Sequence, residues 1–493
     1  MDIEPNNRRG RHDSLFKVLF LVINPRPEWT KERTMISPPL GLAYIVSETV
    51  RHGYDCNIVD MRVEPKTDEK LIQILMETHY DVVALGELTH SYFLVKPLLK
   101  LIRDASPESL IVVGNSIASS HPQLLLENTE TDVAVIGPGE EIFLEILERI
   151  KTGRDLSGVR GTAYKQGDEI VHEELRKAPK DIDSIPYPNW DLFDVEAYIH
   201  SAQNYNNPAA LPTFSDEKVK KINRPFVIQY SRGCAYRCTF CFESLYYKFQ
   251  PIATHSPEVF IAEMRRLKGK YNINYLFFWD ETSFYSPKSA APLIDALIEA
   301  DLGIKFSASV RVGFLRDKDI DFAHKLAQAG CAQMSYSLES GSPIILESMN
   351  KKIEPEWFYE QKRVLDKAGI ISNTNLVLGY PEETKETLGE TFNICYDNDI
   401  FPSAGFLLPV PGTVMYNYAL ENGYIVDEEE YITNVRDRQH LILNMTKMSD
   451  EELVGTTLYH MKRIRDKLGL DLSNENLICN TKLNKEAAGH PLI

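Results

Sequence analysis

The sequence contains few cysteines and no long apolar segment. Only seven cysteines occur among 493 residues, which is unlike the dense disulfide framework of a small secreted protein. No run approaches the roughly 18 apolar residues that a membrane span requires. The first ten residues, MDIEPNNRRG, show no apolar core of a secretion signal. These absences predict a protein of a reducing cytoplasm.

The chain also lacks an excess of positive charge. Its formal net charge is −17 at pH 7, which repels nucleic acid and anionic membrane surfaces. We therefore expect neither of them as the main partner. Apolar residues make up 43% of the chain and charged residues 25%, which is ordinary for a globular protein. The length allows two to four domains at roughly 150 residues each.

The first third of the chain alternates between strand-like and helix-like segments. The strand-like apolar runs are 17–25, 57–61, 81–86, 110–116 and 132–137. Continuous apolar runs are typical of strands buried on both faces, and their alternation with helices predicts parallel strands. We predict a disordered tail at 1–15, a doubly wound, Rossmann-like domain at 16–153 and a linker at 154–224.

A second alternating array begins near residue 225. Its strand-like segments are 226–230, 275–279, 305–310, 333–338, 375–378 and 405–408. Helices between them begin at Ser-Pro pairs such as Ser256–Pro257, which suit a helix cap and first turn. Six strand–helix units are fewer than the eight of a closed barrel. We therefore predict a partial (β/α)6 barrel at 225–425, followed by a small helical region at 426–493.

Three of the seven cysteines lie within eight residues. Cys234, Cys238 and Cys241 follow the first strand of the second array, in the loop where parallel barrels place their active sites. Three thiolates on a four-iron cluster leave one iron open, which is typical of a reactive metal site. A zinc site completed by His255 or by a distant cysteine is the alternative.

The cysteine segment CAYRCTFC has the C-x-x-x-C-x-aromatic-C form of the radical S-adenosylmethionine (SAM) enzymes. Five later blocks resemble that superfamily in the same order: FFWDETSF, SASVR, AGCAQMSYSLESGSP, NLVLGYPEET and LLPVPGTVMYNYALENG. The resemblance implies that Cys234, Cys238 and Cys241 hold a [4Fe-4S] cluster whose fourth iron binds SAM. It also implies an electron donor such as flavodoxin or ferredoxin.

The same resemblance implies which residues contact SAM. Phe240, the aromatic residue of the cysteine motif, would lie against the adenine. Asp280 and Glu281 stand in the block where the superfamily often has Gly-Gly-Glu, which implies that Glu281 and the backbone hold the methionine amine. The other implied SAM-binding residues are Ser307, Arg311, Glu339 and Leu378. For Arg311 and Glu339, a buried ion pair that closes the barrel is the alternative.

The first domain resembles the cobalamin-binding domain that precedes the barrel in one branch of these enzymes. The blocks that carry the resemblance are MISPPLGLAYIVSETVRHGYDCNIVD, VIGPGEE and the linker-like IPYPNWDLFDVEAYI. Doubly wound domains bind ligands at the carboxyl ends of their strands, and no G-x-G-x-x-G turn occurs there to favour a dinucleotide. The predicted cobalamin-binding residues are Pro39, Leu40, Gly86, Asn115, Ser116, Gly137, Gly139 and Glu140.

The Asp-x-His-x-x-Gly signature, which supplies a histidine ligand to cobalt in other cobalamin proteins, is absent after the first strand. His90 lies near a strand end, where it is either a neighbour of the lower face of cobalamin or a surface histidine. The sequence leaves both possibilities open.

The resemblance implies a cobalamin-dependent radical SAM methyltransferase that acts on an unactivated carbon of a small-molecule or natural-product substrate. The scaffold also resembles anaerobic magnesium-protoporphyrin monomethyl ester cyclase, so cyclisation, rearrangement or non-methylating oxidoreduction is the alternative. A sensor or carrier would not need the five barrel blocks. A methylthiotransferase would need three cysteines in the first domain, which has only Cys56. No catalytic residue and no particular substrate are indicated.

Overall fold

The computed structural model describes residues 16–24, 36–204, 224–242, 252–435, 438–474 and 477–478. The predicted tail at 1–15 lies outside them. The described chain divides into two compact units. Of the described residues, the first unit contains 16–24, Pro39–Arg176 and Pro188–Phe193, and the second contains 36–38, Lys177–Tyr187 and those from Asp194 onward.

One seven-stranded sheet forms the first unit, in the order β2-β1-β3-β4-β5-β6-β7. The strands are β1 (Lys17–Val22), β2 (Asp55–Asp60), β3 (Val82–Gly86), β4 (Leu110–Gly114), β5 (Val133–Val135), β6 (Thr162–Gln166) and β7 (Glu169–His172). The first five strands are parallel, and every residue of β1 after Lys17 is buried. The burial of β1 is that of a strand covered on both faces, which must be apolar throughout. The parallel order and this burial confirm the predicted doubly wound domain.

Helices connect these strands. They are α1 (Leu40–Arg51), α2 (Asp68–Glu77), α3 (Tyr92–Ala105), α4 (Asn115–Ser120), α5 (Pro122–Asn128) and α6 (Gly139–Lys151). The apolar side of α6, which includes Ile142, Phe143 and Ile146, belongs to the same core cluster as Val18 and Phe20 of β1. The rings of Phe20 and Phe143 lie 5.4 Å apart, so helix and sheet share one core.

The hairpin β6–β7 corrects the predicted linker, which was placed at 154–224. Its first strand pairs antiparallel with β5, where Tyr164 lies opposite Val133, so these residues belong to the first sheet. Gly167, with φ +61°, makes the turn. A glycine turn between two short alternating segments, AYKQGDEIVH, is the sequence signal of such a hairpin. The strands, of five and four residues, are half exposed and therefore carry little apolar pattern.

The second unit contains the barrel. Its strands are β8 (Pro225–Ile228), β9 (Ser231–Arg232), β10 (Ala253–Thr254), β11 (Tyr275–Phe278), β12 (Lys305–Val310), β13 (Cys331–Tyr336), β14 (Ile371–Asn373), β15 (Asn375–Leu378) and β16 (Ser403–Phe406). The sheet β14-β13-β12-β11-β8 is parallel, and β15 pairs in parallel with β16. The backbone of Glu339 links the two sheets, because its N–H donates to Asn375 O and its carbonyl accepts from Val377 N–H, both at 3.0 Å. The partial six-position barrel is confirmed.

Ten helices are described in the second unit. They are α7 (Val195–Asn204), α8 (Pro257–Tyr271), α9 (Pro287–Ala300), α10 (Ile320–Gln328), α11 (Pro343–Ser348), α12 (Pro355–Ala368), α13 (Lys385–Asp397), α14 (Val414–Glu421), α15 (Glu428–Asn434) and α16 (Asp450–Leu468). Ser256 caps α8 as predicted, with its Oγ accepting from Val259 N–H. None of the helices in the described part of the chain combines the length and apolar character needed to cross a bilayer.

The two faces of the barrel strands differ in polarity. On β12, Phe306 is buried and stacks on Phe278 with ring centroids 4.6 Å apart. Phe278 in turn contacts Phe260 of α8 at 5.1 Å, so this face meets the helices. Ser307 and Ser309 alternate with these residues and are half-buried on the other face. On β12, the face turned away from the helices is therefore polar.

The carboxyl-terminal region packs on this barrel. Phe406 N–H of β16 donates to Arg438 O (2.5 Å), and the Arg438 guanidinium donates to Leu376 O (3.2 Å) and Ser403 Oγ (2.9 Å). A Cβ on Gly405 would lie 2.6 Å from Arg438 Cγ, so only glycine leaves room for this side chain. The region predicted as a helical appendage thus covers the open edge of the barrel at β16.

Candidate active site

Hydrogen bonds fix the start of the cysteine loop at the carboxyl ends of β8 and β11. Asp280, just after β11, accepts from Tyr230 N–H (2.9 Å) and Ser231 N–H (3.0 Å) through one oxygen, Oδ1. Ser231 Oγ donates to Thr282 O at 2.8 Å. These bonds hold the start of the loop at the end of the barrel where the sequence predicts the site.

The three cysteines lie together in this loop. Cys238 is 7% exposed, whereas Cys234 and Cys241 are half-buried. Thr282 Oγ1 lies 3.9 Å from Cys234 Sγ, and Arg311 Nη1 lies 3.9 Å from Cys238 Sγ. Among the described residues, no three His, Cys, Asp or Glu side chains converge as a site for one metal ion, so the assignment of a cluster comes from the motif and its family.

His255, the alternative fourth ligand for zinc, is engaged elsewhere. Its Nδ1 lies 2.9 Å from Asp183 Oδ1, and its ring packs on Tyr187 with centroids 4.5 Å apart. Burial lowers the pKa of this histidine, against the opposing effect of Asp183. Its Nε2 is buried without a hydrogen-bond partner. Among the described residues, however, His255 does not converge with two cysteines on a site for one metal ion, so the structure gives the zinc alternative no support.

Arg311 offers the clearest ligand-binding group. It follows β12, and its guanidinium carbon lies 3.7 Å from the centroid of the Tyr236 ring. Tyr236 stacks on Tyr285 with centroids 6.0 Å apart. The Nε and Nη2 atoms of Arg311 are buried without a hydrogen-bond partner. Buried guanidinium donors are costly to leave unpaired, and a carboxylate is their natural bidentate partner. The methionine carboxylate of SAM fits this position.

Asp280 and Glu281 are placed differently although they are neighbours. Asp280 is buried, its Oδ2 has no hydrogen-bond partner, and burial raises its pKa to about 7. Glu281 is exposed, and its Oε2 accepts from Gly233 N–H at 3.2 Å. Asp280 therefore anchors the loop, and Glu281 lies beside the residue that precedes Cys234. The prediction that both contact SAM remains a prediction, and the geometry favours Glu281.

Glu339 forms a buried ion pair, but not with the expected partner. Lys351 Nζ donates to Glu339 Oε1 at 3.0 Å, and the two side chains are 8% and 9% exposed. The possible pair between Glu339 and Arg311 does not form. Glu339 also has φ +62°, a conformation that costs free energy in a residue other than glycine. Its predicted SAM contact would involve a side chain that Lys351 already orients.

The remaining predicted SAM-binding residues lie on the same edge or face of the barrel. Ser307 is half-buried on the polar face of β12. Leu378 is buried at the end of β15, where its carbonyl accepts from Leu407 N–H at 2.7 Å. Phe240 is half-buried, and its ring meets Tyr380 edge-on at 6.4 Å and 89°. Their contacts with SAM remain predictions.

In the first unit, hydrogen bonds join the loops that follow three parallel strands. Thr89 N–H, after β3, donates to Ser116 Oγ (2.9 Å), and Gly137 N–H, after β5, donates to Ser119 Oγ (3.3 Å). Asn115 has φ +68°, and its Oδ1 accepts from Ser116 N–H. Of the predicted residues, Gly86, Asn115, Ser116 and Gly137 therefore share one edge.

The other predicted cobalamin-binding residues lie at helix starts. Pro39 and Leu40 begin α1, while Gly139 and Glu140 begin α6. A Cβ on Gly139 would lie 2.8 Å from Ile45 Cδ1, so the glycine allows the two helices to approach closely. The predicted residues therefore lie where parallel strands give way to helices, which is the ligand edge of this fold.

The sequence did not indicate the ion pair at this edge. Arg62 Nη2 lies 3.0 Å from Glu87 Oε1, and Arg62 Nε donates to Ile23 O at 2.7 Å. Burial raises the pKa of Glu87, while the charge of Arg62 opposes that shift. The only sequence signal was that each residue follows a strand of the same parallel sheet.

Comparison with known families identifies two domains in this chain. The Radical SAM superfamily model matches residues 228–395, and the B12 binding domain model matches residues 30–147. The chain is a radical SAM enzyme with a B12-binding domain. The radical SAM match begins at the last residue of β8 and contains the cysteine loop and the strands to β15. The B12-binding match contains the edge formed by Gly86, Ser116 and Gly137.

Relatives of this radical SAM enzyme include an uncharacterised methyltransferase of Pyrococcus horikoshii, 28% identical over 82% of this chain and 84% of the relative. The anaerobic magnesium-protoporphyrin IX monomethyl ester cyclase of Cereibacter sphaeroides is 25% identical over 80% of this chain, which spans only 62% of the cyclase. The structure of the methyltransferase TsrM of Kitasatospora setae, with cobalamin and a [4Fe-4S] cluster bound, superposes with a TM-score of 0.64 at 18% identity. It covers 84% of this chain and 79% of TsrM. At that identity the likeness shows the shared fold.

The residues present fit the groups that these two domains imply. In the radical SAM domain, three thiols accompany a guanidinium whose buried donors suit an anion. In the B12-binding domain, the edge offers hydroxyl groups, an amide and backbone N–H groups, which suit the uncharged amide side chains of a corrin. The radical SAM domain implies a [4Fe-4S] cluster and SAM, and the B12-binding domain implies cobalamin.

Proposed function

We propose that this protein is a cobalamin-dependent radical SAM methyltransferase that methylates an unactivated carbon of a small molecule. The observation that carries the proposal is the guanidinium of Arg311, with two buried, unpartnered donors beside Cys238, in a chain that also has a B12-binding domain. The names of several relatives, including a methyltransferase that aligns along most of its length, support the methyl transfer.

The roles of the protein's own residues follow from their positions. Cys234, Cys238 and Cys241 hold the cluster, and Arg311 orients SAM through its carboxylate. The ring of Tyr236, on which Tyr285 stacks, covers Arg311 on one side and excludes water from it. When bound, the reduced cluster supplies the electron that cleaves SAM and cobalamin carries the methyl group.

We further propose that a small electron carrier such as flavodoxin or ferredoxin reduces the protein in the cytoplasm. No disulfide forms among the six cysteines in the described part of the chain, as expected in a reducing compartment. The acidic net charge of −17 supports the expectation that nucleic acid and membranes are not its main partners.

Anaerobic reconstitution with iron, sulfide and cobalamin tests the proposal. With dithionite and SAM, we expect formation of 5′-deoxyadenosine, and its absence would contradict the enzyme assignment. With methyl-deuterated SAM and a small-molecule extract, we expect a product that carries the label. The cyclase alternative, which the relative of Cereibacter sphaeroides suggests, predicts 5′-deoxyadenosine without labelled product.

A further inference from the structure

Thr239 is the most firmly held residue between the last two cysteines. Its N–H donates to Met349 O (3.0 Å), and its carbonyl accepts from Met415 N–H (3.2 Å). Its hydroxyl Oγ1 donates to Ser348 O (2.9 Å) and lies 2.9 Å from the hydroxyl of Tyr380. The cysteine loop is thus tied to the end of α11, to α14 and to the segment after β15.

The chemistry of these groups sets the direction of the hydrogen bonds. The carbonyl of Ser348 can only accept, so the single hydroxyl proton of Thr239 is committed to it. The hydroxyl of Tyr380 must therefore donate to Thr239 Oγ1. The result is a one-way chain from Tyr380 through Thr239 to the carbonyl of Ser348.

Tyr380 is itself rigidly placed. It is fully buried and follows Gly379, whose φ of +93° turns the chain at the end of β15. Its carbonyl accepts from Glu383 N–H (2.8 Å), and Glu383 Oε2 accepts from Gly379 N–H (3.2 Å). The rings of Tyr380 and Phe240 meet edge-on, with centroids 6.4 Å apart. One side chain therefore touches both Thr239 and the ring beside it.

We propose that Tyr380 and Thr239 are positioning residues that fix Phe240 and the last two cysteines for SAM. The inference rests on the proposed function, because it takes Phe240 as the adenine contact. Neither residue touches a reacting atom. Their effect is to hold the Phe240 ring and the turn in which Cys241 N–H donates to Cys238 O (3.1 Å).

Three variants test the proposal. Thr239→Val keeps the shape but removes both hydroxyl bonds, and it leaves the buried donor of Tyr380 unpaired. We expect about tenfold weaker SAM binding, since an unmade buried hydrogen bond costs on that order. Tyr380→Phe removes one bond and leaves no unpaired donor, so about threefold is expected. Thr239→Ser keeps the hydroxyl and should bind SAM within about twofold of the wild type.

The measurements separate positioning from folding. Equilibrium dialysis gives the SAM dissociation constant, iron analysis gives cluster content, and electron paramagnetic resonance reports the change that SAM causes in the reduced cluster. We expect full iron content but an altered SAM-induced spectrum in Thr239→Val and Tyr380→Phe. The double variant should bind SAM no more weakly than Thr239→Val alone, because the two residues act in one chain.

Two results test the positioning role and the proposed function separately. Tyr380→Phe conserves shape, so wild-type SAM affinity together with a wild-type spectrum in this variant overturns the positioning role. SAM binding is measured without turnover, so this conclusion holds whether or not methyl transfer occurs. A wild-type protein that binds SAM but forms no 5′-deoxyadenosine contradicts the proposed function alone.

Discussion

The two ligand edges of this chain are built from different chemistry. At the edge of the B12-binding domain, the predicted contacts are mainly glycines, serines and an asparagine, and the Arg62–Glu87 ion pair there is already satisfied. At the edge of the radical SAM domain, charged groups dominate, and Arg311 keeps buried donors without a partner. Single substitutions should therefore matter far more at the barrel edge, where a few charges carry the binding, than at the neutral edge, where many weak contacts share it.

The largest effect is expected from the thiols. Cys238→Ser should abolish 5′-deoxyadenosine formation and lower iron content, because a hydroxyl is a poor ligand for an iron–sulfur cluster. Cys56→Ser, at a half-buried thiol of β2 in the other domain, is the matched control. Full iron content in Cys238→Ser would contradict the assignment of the cluster ligands.

Arg311→Met should weaken SAM binding by about 10- to 100-fold, because a hydrogen-bonded charge pair contributes about 1.5–3 kcal/mol. Arg316→Met is the control, since Arg316 follows the same strand and pairs with Glu360 (2.7 Å). Equilibrium dialysis at two ionic strengths measures both. Equal SAM affinity in the two variants would show that the unpartnered hydrogen-bond donors of Arg311 do not face SAM.

Lys351→Met should lower the free energy of unfolding by about 3–5 kcal/mol, because it leaves the buried carboxylate of Glu339 unpaired. Adding Glu339→Gln should recover most of that loss, since no charge then remains buried. Urea unfolding of the protein without added cofactors measures both. A double variant as unstable as Lys351→Met would mean that lost packing, and not the orphaned charge, is the cause.

Acidic groups at the barrel edge should also make stability depend on pH. Burial raises the pKa of Glu383 to about 7, from about 4.3 in an unfolded chain. The folded state thus binds the proton more tightly. The resulting stabilisation, on the order of 4 kcal/mol, is complete below about pH 4.3 and is lost as pH rises through about 7.

Glu383→Gln should flatten this dependence between pH 5 and 8, as measured by urea unfolding. Glu382→Gln, at an exposed neighbour, is the control and should change the dependence much less, because the charge of Glu382 is the weakest of the influences on the pKa of Glu383. Parallel curves for wild type and Glu383→Gln would show that Glu383 does not carry the pH dependence.

Features that depend on residues close together in the sequence could be predicted, whereas features that depend on contacts between distant residues could not. Continuous apolar strands, Ser-Pro helix starts and the cysteine spacing are local patterns, so both sheets and the loop with Cys234, Cys238 and Cys241 were predictable. The hairpin β6–β7 was missed because its half-exposed strands lack an apolar run.

Pairings between distant elements had no local signal. The pairs Lys351–Glu339, Arg62–Glu87 and Arg438–Ser403 each depend on which elements the fold brings together. The buried, unpartnered state of the Arg311 donors is likewise a property of three-dimensional packing. Sequence could indicate Arg311 by resemblance, but only the structure shows that two of its donors are buried and lack a partner.

The smallest effect is expected at the neutral edge, where Ser116→Ala should weaken cobalamin binding by no more than about threefold. Ser116 Oγ accepts from Thr89 N–H (2.9 Å), and one neutral hydrogen bond contributes about 1 kcal/mol. Cobalamin retention after gel filtration, measured from its visible absorbance, gives the comparison, with Ser106→Ala at a buried serine beyond the opposite strand ends as control. A loss as large as that expected for Arg311→Met would end the distinction between a charged edge and a neutral one, because a single hydroxyl would then carry the binding that we assign to many contacts.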